Sequence, residues 1–147
     1  MTVLKRRIRI LVVEDNPGDA DLIRDTLQDG RSHLDITVLG DGEQAVDYLQ
    51  RRNQYSNQSG EGGPDFVLLD LNLPKMSGHE VLTEARKCGD LKSIPIIILT
   101  SSDATRDIAT SYALGANCYV TKPGELVAFQ ATMKAVGEFW CRIVQLP

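Results

Sequence analysis

Residues 8–15 have the sequence IRILVVED, a nearly continuous apolar run rich in β-branched residues that ends abruptly in two carboxylates. Such a run is typical of a strand covered on both faces, as in parallel sheets. Asn16 and Pro17 follow at once, and this pair suits the N-cap and first turn of a helix. The stretch therefore predicts a buried strand that passes directly into a helix, with Glu14 and Asp15 at the junction.

The same alternation of strand and helix recurs along the whole chain. Apolar runs predict strands at residues 8–13, 35–39, 66–69, 95–100 and 118–121, and capped or periodic segments predict helices at about 17–30, 42–50, 77–89, 103–114 and 124–144. The polar segment between the second helix and residue 64 is predicted to be a long surface loop. Five alternations predict an α/β fold, a parallel sheet with helices on both faces.

Composition narrows the class of protein further. The chain has 147 residues, 42% hydrophobic and 24% charged, which is typical of one soluble globular domain. No apolar run approaches the roughly 20 residues that span a bilayer, so we expect a cytoplasmic protein with no membrane partner. The net charge of −4 argues against nucleic-acid binding. The three widely spaced cysteines indicate neither a disulfide framework nor a zinc site.

Isolated polar residues fall at the ends of four predicted strands. Glu14 and Asp15 follow the first strand, Asp70 follows the third, Thr100 ends the fourth and Lys122 follows the fifth. The carboxyl ends of parallel strands lie at one edge of the sheet, where open α/β proteins bind their ligands. We therefore expect these five side chains to share one pocket.

The chemistry of that pocket follows from its charges. Carboxylates about 4 Å apart repel by roughly 4 kcal/mol per pair at an effective dielectric constant near 20, so the cluster either shifts a pKa or binds a cation. Oxygen ligands favour Mg²⁺, and a carboxylate, a divalent ion, a hydroxyl and a lysine together suit phosphoryl transfer. Each residue alone has an ordinary explanation, such as a helix cap or a solvated charge. Their joint placement favours the functional interpretation.

Four motifs carry a resemblance to a known family: LVVEDN at 11–16, LDLNLP at 69–74 with Gly78, ILTS at 98–101 and YVTKP at 119–123. The chain resembles the response-regulator receiver (CheY-like) family of two-component signalling over essentially its whole length. The resemblance implies a doubly wound five-stranded sheet of order 2-1-3-4-5, the flavodoxin-like receiver fold. It also implies a single receiver domain over residues 1–147, with its core at about 8–144 and no output domain.

The resemblance assigns roles to the acidic residues. Asp70 is the expected phosphoacceptor, which takes a phosphoryl group from a phosphohistidine on a sensor histidine kinase. Glu14, Asp15, Asp70 and the backbone carbonyl of Asn72 are the expected Mg²⁺ ligands. Asn72 and Ser102 occupy the positions that tune self-dephosphorylation in the family.

Further roles fall on the last two strands. Thr100 and Lys122 are expected to bind phosphoryl oxygens, and Tyr119 holds the position of an aromatic ring that moves inward on activation. The resemblance also implies a cis peptide bond between Lys122 and Pro123. Residues 70–75, 117–119 and 139–147 are most similar to the small regulators that partner bacterial, cyanobacterial-type phytochromes, so a phytochrome-type kinase is the expected partner.

The last predicted helix has more apolar surface than the sheet can cover. Its stripe, spaced by three and four, is expected to face the sheet and comprises Leu126, Phe129, Met133, Val136, Trp140 and Ile143. Twenty helical residues span about 30 Å, whereas a five-residue strand spans about 17 Å, so the end should overhang. Trp140 and Phe139 then either fold back onto the core or form a partner surface. The family resemblance favours a homodimer through the fourth helix, fifth strand and fifth helix.

Two other classes of function compete with a phosphoacceptor switch that catalyses only its own phosphorylation and dephosphorylation. One is a pseudo-receiver, which binds proteins without the chemistry. The other is an enzyme or cofactor domain on the same fold. Aspartyl phosphatases generally need a second Asp two residues after the nucleophile, where this chain has Asn72, and flavin binding needs a Ser/Thr/Gly-rich loop where it has Glu14 and Asp15. His33 and His79 lack metal-ligand spacing and are expected to be surface residues.

Overall fold

The computed structural model describes residues 7–31, 33–51 and 63–147, so most of the polar loop predicted before residue 64 lies outside the described residues. The strands are β1 (Ile8–Val13), β2 (Leu34–Leu39), β3 (Phe66–Leu69), β4 (Ile96–Thr100) and β5 (Cys118–Thr121). The helices are α1 (Pro17–Gln28), α2 (Gly42–Gln50), α3 (Gly78–Lys87), α4 (Thr105–Ala113) and α5 (Leu126–Glu138), with a 3-10 turn at Gly89–Leu91 and a π-helical turn at Phe139–Ile143. Elements and order match the prediction, and α4 begins two residues later than expected.

All strand pairs are parallel, and the sheet has the order β2-β1-β3-β4-β5. The doubly wound fold predicted from the sequence is therefore confirmed. Val13 lies opposite both Leu39 and Leu69, and Thr100 lies opposite Thr121. The first three strands end level with one another, and β4 and β5 end two residues beyond them, since Leu69 lies opposite Ile98. Whatever follows the strands therefore emerges along one edge of the sheet, called the carboxyl edge below.

Two hydrophobic cores cover the two faces of the sheet, and alternate strand residues point into one or the other. Leu11 and Val13 belong to the core beneath α2 and α3, whereas Ile10 and Val12 belong to the core beneath α1 and α5. Burial on both faces explains why these strands are continuous apolar runs rather than alternating ones.

Local signals define the ends of the helices. The side chains of Asn16, Asp41 and Ser77 cap α1, α2 and α3 by accepting backbone N–H bonds of 2.9, 2.7 and 3.2 Å. Gly30 and Gly115, with φ of 70° and 103°, lie just beyond α1 and α4 in the left-handed conformation that favours glycine.

The continuous helix predicted at residues 124–144 is wrong in detail. α5 ends at Glu138, and a π-helical turn follows, in which the Val144 N–H donates to the Phe139 carbonyl at 2.8 Å. The wider turn changes the angular spacing of side chains, so Ile143 turns away from the sheet and is 60% exposed. Leu126, the first helical residue, is also 60% exposed. The apolar stripe is thus buried only at its middle positions, Phe129, Met133 and Val136.

Of the two alternatives for Phe139 and Trp140, core packing and an exposed partner surface, each applies to one of the two rings. Trp140 is half-buried and packs on the core, with its ring centroid 6.0 Å from that of Phe66. Phe139 stands edge-on to Trp140 at 5.6 Å and is 50% exposed. One ring therefore serves the core and the other faces outward. None of the helices in the described part of the chain is both long and apolar enough to cross a membrane.

Candidate functional site

Three polar residues extend the strands by one backbone hydrogen bond each. The Glu14 N–H donates to the last carbonyl of β2 at 2.9 Å, the Asp70 N–H donates to Val13 at 3.1 Å, and the Lys122 N–H donates to Thr100 at 2.7 Å. Because these backbones are held by the sheet itself, their side chains leave the carboxyl edge from fixed positions. Glu14, Asp70 and Lys122 therefore lie at one edge of the sheet, as predicted from the sequence.

Three carboxylates form a compact acidic cluster at this edge. Glu14, Asp15 and Asp70 each offer an oxygen within 4.8 Å of the others; Glu14 and Asp70 are buried and Asp15 is exposed. Hard oxygen donors at this spacing suit a small divalent cation. Asn72 lies beside them, since its N–H donates to Asp70 Oδ1 at 3.3 Å. The role of the Asn72 backbone carbonyl as a further metal ligand remains a prediction.

The Lys122 ammonium is the cation at the centre of the cluster. It donates to Glu14, and to Asp70 Oδ2 and Asp19 Oδ2 at 3.0 Å each. Burial disfavours the charged ammonium, but the hydrogen bonds to the three carboxylates outweigh it and raise the pKa of Lys122. Together with Asp15 of the acidic cluster, the site holds four carboxylates and one lysine. The site therefore has an excess of negative charge that a divalent cation would balance.

Burial also changes the ionisation of Glu14. Desolvation raises the pKa of Glu14 to about 7, and the hydrogen bond from Lys122 offsets only part of that effect. The nearby Asp70 carboxylate raises the pKa further, whereas the N–H of Asn16, 3.2 Å from Glu14 Oε2, lowers it. A cation that binds here must displace this proton, so metal affinity should rise with pH.

Thr100 supplies the unpaired hydroxyl of the site. Its side chain is fully buried, and Oγ1 has no hydrogen-bond partner within the described residues. A buried hydroxyl without a partner costs about 1–3 kcal/mol, and native structures tolerate few such groups. Its position at the end of β4, directly before the carboxyl edge, makes it available to a ligand oxygen.

Gly78 allows α3 to begin against the backbone of the acidic cluster. A Cβ at this residue would lie 2.2 Å from the carbonyl oxygen of Asp70 and 2.7 Å from Leu71 Cα. The Gly78 N–H also donates to the Leu71 carbonyl at 2.9 Å. Close approach of two backbones thus fixes the turn that follows Asp70, and only glycine fits there.

These observations agree with comparisons to known proteins. Residues 10–134 match the sequence model of the response regulator receiver domain. The chain belongs to this family. The receiver is 38% identical to the response regulator Rcp1 of Synechocystis sp. strain PCC 6803 over 138 residues, which cover 94% of this chain and 92% of Rcp1.

Solved structures give the same answer for the fold. The phosphorylated cyanobacterial phytochrome response regulator RcpA superposes with a TM-score of 0.90 at 39% identity, covering 96% of this receiver and 99% of RcpA. The Mn²⁺-bound form of Rcp1 superposes with a TM-score of 0.89 at 38% identity, covering 95% and 99%. The predicted family is confirmed, and the acidic cluster of this receiver suits the divalent cation that such domains hold.

Tyr119 and Ser102 connect the site to α4 of the receiver. The Tyr119 hydroxyl donates to the Ser102 carbonyl at 2.8 Å, and the Tyr119 N–H donates to Tyr112 Oη at 3.1 Å. The Ser102 hydroxyl donates to Asp107 Oδ2 at 2.6 Å and accepts the Ala104 N–H at 3.3 Å. The loop two residues after Thr100 is therefore tied to both β5 and α4.

Three details of the receiver differ from or extend the sequence interpretation. The Lys122–Pro123 peptide is trans, not cis as the family resemblance implied. His79 is half-buried rather than on the surface, because Nε2 lies 2.9 Å from Ser111 Oγ and bridges α3 to α4. The sequence did not identify Asp19 as a partner of Lys122. An acidic residue in the first turn of a helix is explained by the helix dipole alone, so no sequence signal pointed to this contact.

Proposed function

We propose that this receiver is a phosphorylation switch of two-component signalling, in which Asp70 accepts a phosphoryl group from a sensor histidine kinase. The observation that carries the proposal is the arrangement around Asp70. A buried lysine lies 3.0 Å from Oδ2, two further carboxylates lie beside it, and a buried unpaired hydroxyl ends the neighbouring strand. Phosphoryl transfer depends on positioning and charge neutralisation, and these groups supply both.

The residues around Asp70 would have two kinds of role, metal binding and phosphoryl binding. Glu14, Asp15, Asp70 and the carbonyl of Asn72 would hold Mg²⁺, which supplies positive charge for the phosphoryl oxygens. Lys122 would donate to a phosphoryl oxygen in place of one of the three carboxylates it now contacts. The Thr100 hydroxyl would satisfy its unpaired hydrogen-bonding capacity on another oxygen.

The reaction would modify the receiver itself, with the phosphohistidine of the kinase as the phosphoryl donor. A carboxylate oxygen of Asp70 attacks the phosphorus of a phosphohistidine, the P–N bond breaks, and the imidazole leaves with a proton from solvent. Attack by water on the resulting acyl phosphate restores the carboxylate. Asn72, whose N–H donates to Asp70, and Ser102, two residues after Thr100, are the residues we expect to set the lifetime of the phosphorylated state.

Partners follow from the relatives and from the exposed apolar residues. The similarity to RcpA and Rcp1 supports a phytochrome-type sensor kinase. Tyr112 on α4 is 49% exposed and Val127 on α5 is 67% exposed, which supports a homodimer through α4, β5 and α5. The hydrogen bonds of Tyr119 to Ser102 and Tyr112 give the site a physical connection to that surface. Residues 1–147 would act as one receiver domain, and a cytoplasmic location stays a prediction.

Labelling with a small phosphodonor tests the chemistry. Phosphoramidate with Mg²⁺ should add one phosphoryl group, measured by intact-mass spectrometry, and chelation of the metal before the donor is added should prevent the labelling. Asp70→Asn should abolish labelling, whereas Asp35→Asn, an exposed residue of β2, should retain it. Labelling that survives Asp70→Asn would overturn the assignment of the phosphoacceptor. No labelling of the native protein would support the pseudo-receiver instead.

Sedimentation velocity tests the dimer. The association constant should change when phosphodonor and Mg²⁺ are added, and Val127→Ser should weaken association in whichever state is dimeric. Val127 is exposed, so this change should leave the free energy of unfolding within about 0.5 kcal/mol. A receiver that sediments as a monomer in both states, or a dimer indifferent to Val127→Ser, contradicts the proposed surface.

A further inference from the structure

The Lys122 ammonium has no hydrogen-bonding capacity left. An ammonium has three N–H donors, and here they meet three carboxylates, those of Glu14, Asp70 and Asp19. A phosphoryl oxygen that binds Lys122 therefore has to compete with an existing partner. The carboxylate that releases Lys122 most easily determines how readily the ammonium binds an incoming phosphoryl group.

Burial separates the three partners. The Glu14 and Asp70 side chains are 2% and 8% exposed, whereas that of Asp19 is 33% exposed. A buried carboxylate that loses its lysine is left without water, which costs several kcal/mol. Asp19 can regain water when it lets go, so its release is the least costly of the three.

The position of Asp19 supports the same conclusion. Asp19 is the third residue of α1, and its N–H donates to the cap residue Asn16 at 2.9 Å, so its backbone stays fixed when the side chain moves. It also lines an open cleft of about 500 Å³ next to the site, together with Ser101, Lys122 and Pro123. The backbone of Asp19 is therefore fixed, while its side chain has open space into which it can move.

We propose that Asp19 is a positioning residue that holds Lys122 toward α1 before phosphorylation, and that its release to solvent frees the ammonium for the phosphoryl oxygen. This inference rests on the proposed phosphoacceptor function. Asp19 competes for the lysine without touching the reacting atoms. It also occupies one of the three N–H donors of the ammonium, so its removal should leave Lys122 more strongly engaged with Glu14 and Asp70.

Two measurements on Asp19→Asn should therefore move in opposite directions. Without phosphodonor, Mn²⁺ titrated by electron paramagnetic resonance should bind about threefold more weakly, because Lys122 now competes more strongly for the metal ligands. At saturating Mg²⁺, labelling by phosphoramidate should be about threefold faster, because one competitor for the lysine is gone. Both factors are on the scale of a partly exposed ion pair.

Matched variants separate this role from other effects of the charge. Asp21→Asn removes the same charge from an exposed residue of the same helix and should change neither measurement. Asp19→Glu keeps the carboxylate and should restore both values toward those of the native receiver. A role limited to the helix dipole would lower the melting temperature of Asp19→Asn and leave its labelling rate unchanged.

The outcomes are distinct. Unchanged or slower labelling of Asp19→Asn, or Mn²⁺ binding equal to that of Asp21→Asn, refutes the positioning role while the phosphoacceptor assignment stands. Absence of labelling in the native receiver refutes the phosphoacceptor assignment, and the Mn²⁺ titration then still decides whether Asp19 restrains Lys122.

Discussion

The buried carboxyl group of Glu14 should make the metal-free receiver less stable as the pH rises through neutrality. Its pKa is about 7 in the folded protein, whereas that of an unperturbed glutamate is 4.5, so the folded state binds this proton more tightly than the unfolded chain does. The contribution to stability is therefore fully present below pH 4.5 and is lost as the pH rises to 7.

The size of the effect follows from the difference in pKa. Each pKa unit corresponds to about 1.4 kcal/mol, so a difference of 2.5 (7 − 4.5) gives at most about 3–4 kcal/mol. Most of the loss should fall between pH 5 and pH 7. Binding of Mg²⁺ at pH 8 should recover part of it, because a cation binds the ionised site of the folded state only.

Urea unfolding in chelator at pH 5, 6, 7 and 8, followed by tryptophan fluorescence, measures this dependence. Other groups also titrate in the range, so the informative quantity is the difference between the native receiver and Glu14→Gln, which cannot ionise. Glu43→Gln, an exposed residue of α2, is the matched control and should follow the native curve. If Glu14→Gln shows the same decline as the native receiver, the buried carboxyl is not its source and the reasoning fails.

Three further predictions concern residues on and off the site. Thr100→Val removes the unpaired buried hydroxyl, so the free energy of unfolding should stay the same or rise by up to about 1 kcal/mol. Phosphoramidate labelling should become slower. A labelling rate equal to that of the native receiver would exclude Thr100 from phosphoryl binding. Arg86 donates six hydrogen bonds that tie α3 to the segments before β4 and β5. Arg86→Lys should therefore lower the free energy of unfolding in urea by about 2–3 kcal/mol and leave phosphoramidate labelling intact. Lys87→Met, at the next residue, is the control and should leave both quantities unchanged. Trp140→Ala should lower the free energy of unfolding by about 3 kcal/mol, because its ring packs on the core. Phe139→Ala should lower it by under about 1 kcal/mol and should instead change the association measured by sedimentation. Equal losses of stability would contradict the division of the two rings between core and surface.

Much of the fold could be predicted from the sequence because its main signals are local. Apolar runs, caps such as Asn16 and Ser77, and glycines such as Gly30 each report the conformation of their own segment. Parallel topology then places every strand end at one edge, so Asp70 and Lys122 could be brought together without any knowledge of side-chain packing. Both kinds of inference need only sequence order and element type.

What only the tertiary structure decided concerns contacts between elements far apart in the chain. The sequence by itself determined the sheet, the carboxyl edge and the set of residues on it. It did not indicate that Asp19 of α1 meets Lys122, that His79 bridges to α4, or that a π-helical turn separates the environments of Phe139 and Trp140. Such contacts depend on how helices sit against the sheet and on each other, and identical local patterns are compatible with several packings. The sequence placed Asp70 at the carboxyl edge, while packing set its burial and its contact with Lys122.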